Sequence, residues 1–227
     1  MLRILGSAAA LAAAASVSAA GLADISNRDA VAGLKDALTR GSRAAVAKLG
    51  VEDGFLKNHS VRIGLPPSLR SAEAVIRTIG MGTQADELVV RMNRAAEAAV
   101  PRAKGLLVNA VKRMSVQDAK GILTGGDDAA TQYFKRTTSE PLAKQFQPTV
   151  KKAMAKVKLA EKYNEIAASG ARFGLVKEEE ANLEDYVTRK ALDGLFVVIA
   201  EEEKKIRQNP AGAASSIIRK VFGALRN

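Results

Sequence analysis

Hydrophobic residues recur about every 3.6 positions along nearly the whole chain after residue 26, which is the spacing of one face of an α-helix. No segment of strand length alternates between apolar and polar positions. The first apolar stripe predicts a helix from Asn27 to Leu49, capped by Ser26 or Asn27 and ended by Gly50. Val51 to Pro67 lacks the stripe and is predicted to be an irregular loop whose apolar side chains reach the core.

The same spacing predicts several helices in the middle of the chain. One runs from Leu69 to Ile79 after a cap at Ser68, and a longer one runs from Leu88 to Met114. Pro101 lies inside the longer stripe and predicts a kink or break near Glu97 to Val100, because proline removes a backbone hydrogen bond.

Ser115 begins a capping-box pattern with Asp118, which predicts a short helix that stops at Gly125. Asp127 or Asp128 is predicted to start the next helix, which runs to about Arg136. Ser139 is predicted to cap a separate helix with Pro141 in its first turn, and Pro148 is predicted to divide that helix.

The most apolar helix is predicted from Leu183 to Gln208, with Asn182 as its cap. Residues 195–200 are apolar on every side, which indicates a helix surrounded by other helices. The pairs Glu201–Lys205 and Glu203–Arg207 predict a solvated far end. A helix at 158–168 precedes it and a short amphipathic one near 217–225 follows. The predicted fold class is all-α, a single multi-helix bundle of about eight to ten helices around a central apolar helix near 183–208.

The N-terminus has the pattern of a secretory signal peptide. Arg3 is followed by a charge-free apolar run to Val17, and small residues then offer a cleavage site after Ala19 or Ala20. The run is shorter than the roughly 20 residues needed to span a bilayer. We therefore predict a signal peptide at 1–20, a single helical domain at 21–227 and a periplasmic location; the alternatives are an uncleaved anchor and an ordinary first helix.

Composition excludes several kinds of site. The chain has no cysteine and one histidine, His59, so disulfides are impossible and zinc sites lack their usual ligands. The net charge is +11, and residues 135–162 hold eight basic against two acidic side chains. Because aromatic residues are few and the protein is predicted to be exported, we expect no nucleic acid. The simpler interpretation of this charge is a solvated lysine face that favours solubility. The alternative is that it binds a partner, either an anionic membrane surface or another envelope component.

Five residues form a candidate polar site. Asp127 and Asp128 follow two glycines, where they suit a helix cap and could also offer oxygen ligands to a hard cation. Asn93 lies on the inner edge of an apolar stripe, as a structural hydrogen-bonding group or a ligand contact, and Arg94 follows it. Tyr133 fits core packing better than a binding platform. No catalytic residue, metal ligand or cofactor is assigned.

Several segments are distinctive: 29–35, Gly54-Phe-Leu56, 86–88, 92–101, the stretch from Leu123 to Phe134, and 191–196 with 200–204. Together they resemble one bacterial family, catalogued as domain of unknown function 4197. It covers essentially the whole chain after the signal peptide. It implies an exported, helical bacterial protein and supplies no catalytic residues.

Three functions remain open from the sequence. The preferred one is a non-enzymatic envelope protein that uses a basic surface to bind or organise a partner. The second is a helical carrier that encloses an apolar or lipid-like ligand, with the loop 51–67 as a lid. The third is a divalent-cation-dependent hydrolase centred on Asp127 and Asp128.

Overall fold

The computed structural model describes residues 27–71, 73–155, 157–174, 176–212 and 215–224. Within these ranges the chain is helical and contains no strand, which confirms the predicted all-α bundle. The helices are α1 Asn27–Leu49, α2 Pro67–Ser71, α3 Glu73–Thr78, α4 Gly82–Ala99, α5 Ala103–Arg113, α6 Val116–Leu123, α7 Ala129–Met154, α8 Lys158–Arg172, α9 Leu183–Gln208 and α10 Ser216–Ala224. Single 3₁₀ turns lie at Val100–Arg102, Glu178–Glu180 and Pro210–Gly212.

Helix α9 lies at the centre and packs against α1, α4 and α7. Asn182 caps it as predicted, because its side chain accepts a hydrogen bond from the Asp185 amide at 3.0 Å. Leu195 and Val198 are fully buried. Val197 is 41% exposed, so the expectation of an apolar run enclosed on every side is wrong at this position. One narrow strip of α9 faces solvent.

Helix α7 is continuous over 26 residues, whereas the sequence predicted an end near Arg136, a new start at Ser139 and a division at Pro148. The reason is a buried stripe that keeps its phase through both prolines, at Phe134, Thr138, Leu142, Phe146, Val150 and Met154. Burial of this stripe outweighs the backbone hydrogen bonds that Pro141 and Pro148 remove. The Ser139 hydroxyl donates to the Lys135 carbonyl instead of capping a helix.

The break at Pro101 and the capping box at Ser115 are confirmed. A 3₁₀ turn at Val100–Arg102 separates α4 from α5, and Ser115 and Asp118 exchange side chain to backbone hydrogen bonds. The segment predicted from Leu69 to Ile79 forms two short helices instead. α2 already begins at Pro67, and the Ser68 hydroxyl lies 2.9 Å from the Tyr163 hydroxyl rather than capping the helix.

The predicted signal peptide lies outside the described residues. Among the described helices, none combines the length and apolar character that crossing a membrane requires.

Candidate functional site

The loop from residue 51 to 66 carries turns but no helix, and it packs on α4 and α9. Its apolar side chains Phe55, Val61, Ile63 and Leu65 are buried. Phe55 lies against Gly194 of α9, where an added Cβ would stand 2.6 Å from the Phe55 ring. The loop is therefore part of the core on its inner side, as the sequence predicted.

Asn93 binds this loop from α4. Its side-chain oxygen accepts from the Ile63 amide at 2.9 Å, and its amide nitrogen donates to the Ile63 carbonyl at 2.8 Å and the Val89 carbonyl at 2.7 Å. The residue is 0% exposed, so these bonds satisfy groups that would otherwise be buried without partners. The sequence left two roles open for Asn93, a structural hydrogen-bonding group or a ligand contact. These bonds are structural.

Glu97 holds the same loop one helical turn further along α4. Its carboxylate is 5% exposed and accepts from the Phe55 amide at 3.0 Å and the Leu56 amide at 3.1 Å. Arg94 neutralises it through a 2.7 Å ion pair. These bonds explain how a carboxylate can be buried in an apolar stripe.

Arg94 also reaches Asp53 at 2.8 Å and Glu52 at 3.1 Å on the loop. The hydrogen bond to Glu97, followed by that to Asp53, raises the pKa of Arg94 above its usual range. Asp53 adopts a φ of 66° and its pKa is lowered, first by Lys57 and then by Arg94. Arg94 is therefore a structural cation that links α4 to the start of the loop.

The outer side of the loop borders an open cleft of about 650 Å³, which we call the arginine cleft. Arg77 donates to both carboxylates of this cleft, to Glu73 at 2.8 Å and to Asp86 at 2.8 Å. The hydrogen bond from Arg77 lowers the pKa of Asp86. The lining comprises His59, Arg62, Gly64, Leu65, Arg70, Glu73, Arg77, Asp86, Val89 and Val90.

Asp127 and Asp128 are exposed and lie before α7. Asp128 is the N-terminal flanking residue of the helix, but its side chain makes no capping hydrogen bond and instead accepts from Gln132 at 2.8 Å. The helix therefore starts after Asp128, one of the two predicted starts, but the predicted side-chain cap at Asp127 is wrong. Another helix supplies the carboxylate that accepts hydrogen bonds from the first-turn amides of α7.

Glu203 of α9 caps α7. Its carboxylate accepts from the Ala130 amide at 3.0 Å and from the Thr131 amide and hydroxyl, each at 2.9 Å. Arg207 pairs with Glu203 at 3.0 Å and donates to the last-turn carbonyl of Ile122 in α6 at 2.8 Å. Glu203 is 6% exposed, so the prediction that this pair lies at a solvated helix end is wrong.

The sequence carried one signal for this arrangement. Glu203 continues the buried stripe of α9, in phase with Ile199 four residues before it. The i,i+4 spacing of Glu203 and Arg207 by itself predicted an ordinary ion pair on the surface. Its partner helix lies about 70 residues away in the chain, as the separation of 73 residues between Ala130 and Glu203 shows.

The five residues of the candidate polar site serve different parts of the fold. Asn93 and Arg94 hold the loop, and the Tyr133 hydroxyl donates to the Ala110 carbonyl at 2.9 Å while Arg136 stands over its ring. Among the described residues, no hydrogen bond or ion pair joins Asp127 or Asp128 to the other three. Nor does that part of the chain contain three or more side chains of His, Cys, Asp or Glu grouped to hold one metal ion.

The carrier hypothesis requires an enclosed cavity and a mobile lid. The core space between α1, α7, α9 and α10 measures about 10 Å³, which is too small for a lipid chain. The loop proposed as a lid is bound by four backbone hydrogen bonds to Asn93 and Glu97, which opening would break.

A group of lysines surrounds the turn between α7 and α8. We define the lysine surface as Lys151, Lys152, Lys158 and Lys162, all of which are exposed. None of them forms an ion pair with any residue that the structure describes, whereas Lys144 earlier in α7 pairs with Glu140 at 2.6 Å. No ion pair among the described residues therefore offsets the positive charge of these four lysines.

The chain matches the family described as Protein of unknown function (DUF4197) over residues 24–223. No curated protein and no solved structure matches it.

Proposed function

Because the chain belongs to the DUF4197 family, whose description assigns no activity, we propose a function from its own surface: a non-enzymatic binding module for anionic phospholipid. The lysine surface makes the contact with the headgroups. The protein acts in the periplasm after export. The observation that carries the proposal is four exposed lysines around one turn without acidic partners among the described residues.

Helix electrostatics distinguishes Lys158 from the lysines at the end of α7. Lys151 and Lys152 lie in the last turn of α7, where the helix dipole favours positive charge. Lys158 is the first residue of α8, where the dipole disfavours it, and only Glu161 in that first turn opposes it. The helix dipole therefore does not account for a lysine at position 158.

The chemistry of the compartment favours phospholipid. Lysines near an anionic leaflet each contribute roughly 1 kcal/mol, so four of them can hold a protein at a membrane reversibly without a spanning helix. The charge-free run after Arg3 supports export, where phospholipid headgroups and acidic glycans are the abundant anions. We commit to phospholipid, and binding to acidic glycan instead is an outcome of the test.

The test is co-sedimentation of the mature chain with vesicles of phosphatidylglycerol mixed with phosphatidylcholine, compared with pure phosphatidylcholine. We expect binding to the anionic vesicles only, weakening steeply with added salt. The variant Lys151→Gln/Lys152→Gln/Lys158→Gln/Lys162→Gln should lose up to about three orders of magnitude in affinity, if each lysine contributes roughly 1 kcal/mol.

A matched variant controls for net charge. Lys104, Lys112, Lys120 and Lys204 are also exposed and have no ion pair with described residues, so changing these four to Gln removes the same charge elsewhere. Equal losses in the two variants would contradict the proposed surface. Absence of binding by the unmodified chain, or binding to acidic glycan in place of vesicles, would contradict phospholipid as the partner.

A further inference from the structure

We propose that the arginine cleft is a binding site for a phosphoryl group, carried by a soluble phosphate monoester or by a lipid headgroup. The site is separate from the lysine surface and does not depend on the function proposed for it. It has a volume of about 650 Å³, within the range of small-molecule sites.

The balance of charge in the cleft leaves two arginines available. The carboxylates that line it, Glu73 and Asp86, are both engaged by Arg77. Neither Arg62 nor Arg70 forms an ion pair with any described residue. Arg62 is near enough to Asp86 to lower the pKa of that carboxyl, without pairing with it. Two guanidinium charges therefore border a concave surface, where a field is focused on an incoming anion.

Both arginines are attached to ordered backbone. Arg62 precedes Ile63, whose amide and carbonyl are both bound by the buried Asn93. The Arg70 guanidinium donates to the Leu65 carbonyl at 3.2 Å, which orients it and leaves other donors free. The backbone beside both arginines is therefore already held before an anion binds, which lowers the entropy cost of binding. In this role the buried Asn93 positions the backbone beside Arg62.

The geometry favours a phosphoryl group over a carboxylate. A carboxylate is planar and one arginine can satisfy both of its oxygens, as Arg77 does with Asp86 through hydrogen bonds of 2.8 and 3.4 Å. Arg62 and Arg70 come from the loop and from α2, and both line the cleft. Two separate guanidinium groups suit an anion with three acceptor oxygens. Leu65 and Val89 add an apolar wall for the organic part of an ester.

Isothermal titration with glycerol 3-phosphate tests the soluble source, with glycerol as the uncharged analogue and constant ionic strength. We expect saturable binding of the phosphate ester only. Arg62→Gln/Arg70→Gln should weaken it at least about tenfold, since hydrogen bonds to charged groups are the strong ones. Asp86→Asn should strengthen it, because that change releases part of Arg77.

Two sets of controls accompany the titration. Arg40→Gln/Arg91→Gln removes the same charge from exposed arginines paired elsewhere with Asp36 and Glu87, and should leave binding unchanged. The fourfold lysine variant of the lysine surface should also retain it, which separates this site from the proposed function. If the loss of the Leu65 contact prevents Arg70→Gln from folding, Arg62→Gln alone provides the comparison.

Vesicles of phosphatidylglycerol test the second source, in the fourfold lysine variant so that the lysine surface cannot contribute to vesicle binding. Vesicle binding that falls with Arg62→Gln/Arg70→Gln, without binding of glycerol 3-phosphate, would assign the cleft to a lipid headgroup. The proposal is overturned if neither glycerol 3-phosphate nor the vesicles bind. It is also overturned if Arg62→Gln/Arg70→Gln and the control Arg40→Gln/Arg91→Gln change the affinity for both probes equally.

Discussion

Buried carboxylates carry structural roles that their sequence neighbourhood does not show. Glu97 and Glu203 both accept backbone amides from segments more than 40 residues away, and each is neutralised by an arginine on its own helix, Arg94 or Arg207. In both cases the arginine partner three or four residues along the helix resembles an ordinary surface pair. Burial makes the removal of either partner of the ion pair much more destabilising, because the other charge then remains unpaired in the core.

Glu203→Ala should therefore destabilise the protein far more than truncation of the exposed aspartates before α7. It leaves the Ala130 and Thr131 amides without their acceptor and the Arg207 guanidinium without its carboxylate, and we expect a loss of about 3–5 kcal/mol in the free energy of unfolding. Asp127→Ala should change stability by less than about 0.5 kcal/mol. Urea denaturation measures both, with Glu203→Gln as the shape-matched control. A larger effect at Asp127 would restore it as the cap.

At the scale of elements, tertiary packing keeps helices continuous through proline and glycine, the two residues that most often interrupt them. Pro141 and Pro148 lie within α7, and the helix continues because its buried stripe does. Gly194 lies within α9, where glycine disfavours a helix, and the contact with Phe55 requires it. In each case the local penalty of order 1–3 kcal/mol is smaller than the burial that the element gains.

Gly194→Ala should reverse the usual benefit of alanine in a helix. The new Cβ would stand 2.6 Å from the Phe55 ring and 3.1 Å from Val61, so we expect a loss of about 1–3 kcal/mol through overpacking. Gly105→Ala and Gly121→Ala, in α5 and α6, meet no atom within 4 Å and should gain about 0.5–1 kcal/mol. Thermal melting of the three variants measures this. A gain at Gly194 would show that the loop is not packed on α9.

At the scale of the whole molecule, the three tyrosines join distant parts of the bundle. The hydroxyls of Tyr133, Tyr163 and Tyr186 donate to the carbonyls of Ala110, Glu180 and Gly64. Burial raises the pKa of each above the ordinary 10.0. A raised folded pKa contributes stability that is fully present below the unfolded value and is lost as the pH rises through the folded value.

Alkaline titration should therefore show a difference between the folded and unfolded tyrosines. The chain has three tyrosines and no tryptophan, so absorbance at 295 nm reports these groups alone. We expect the pKa of each tyrosine to lie above the ordinary 10.0 while far-ultraviolet circular dichroism shows that the helices persist. In guanidinium chloride all three should titrate near 10.0. Identical titration curves in the folded and unfolded protein would contradict the burial of the tyrosines.

Hydrophobic periodicity and capping residues were enough to predict the class of fold and the bounds of α1 and α9. They also predicted the break at Pro101 and the capping box at Ser115. These features depend on residues within one or two helical turns of each other, so local physics determines them. The sequence also indicated that the loop predicted at 51–67 is anchored in the core and that Asn93 is buried.

Only the tertiary structure decided which residues meet. The cap of α7 comes from α9, the amides of the loop bind Glu97, and the arginine cleft draws Arg62, Arg70 and Arg77 from three separate segments. Such partners lie tens of residues apart, and no helical spacing relates them. Whether Glu203 is a solvated ion or a buried cap depends on the helix packed beside it, because burial sets the free energy of an unpaired charge.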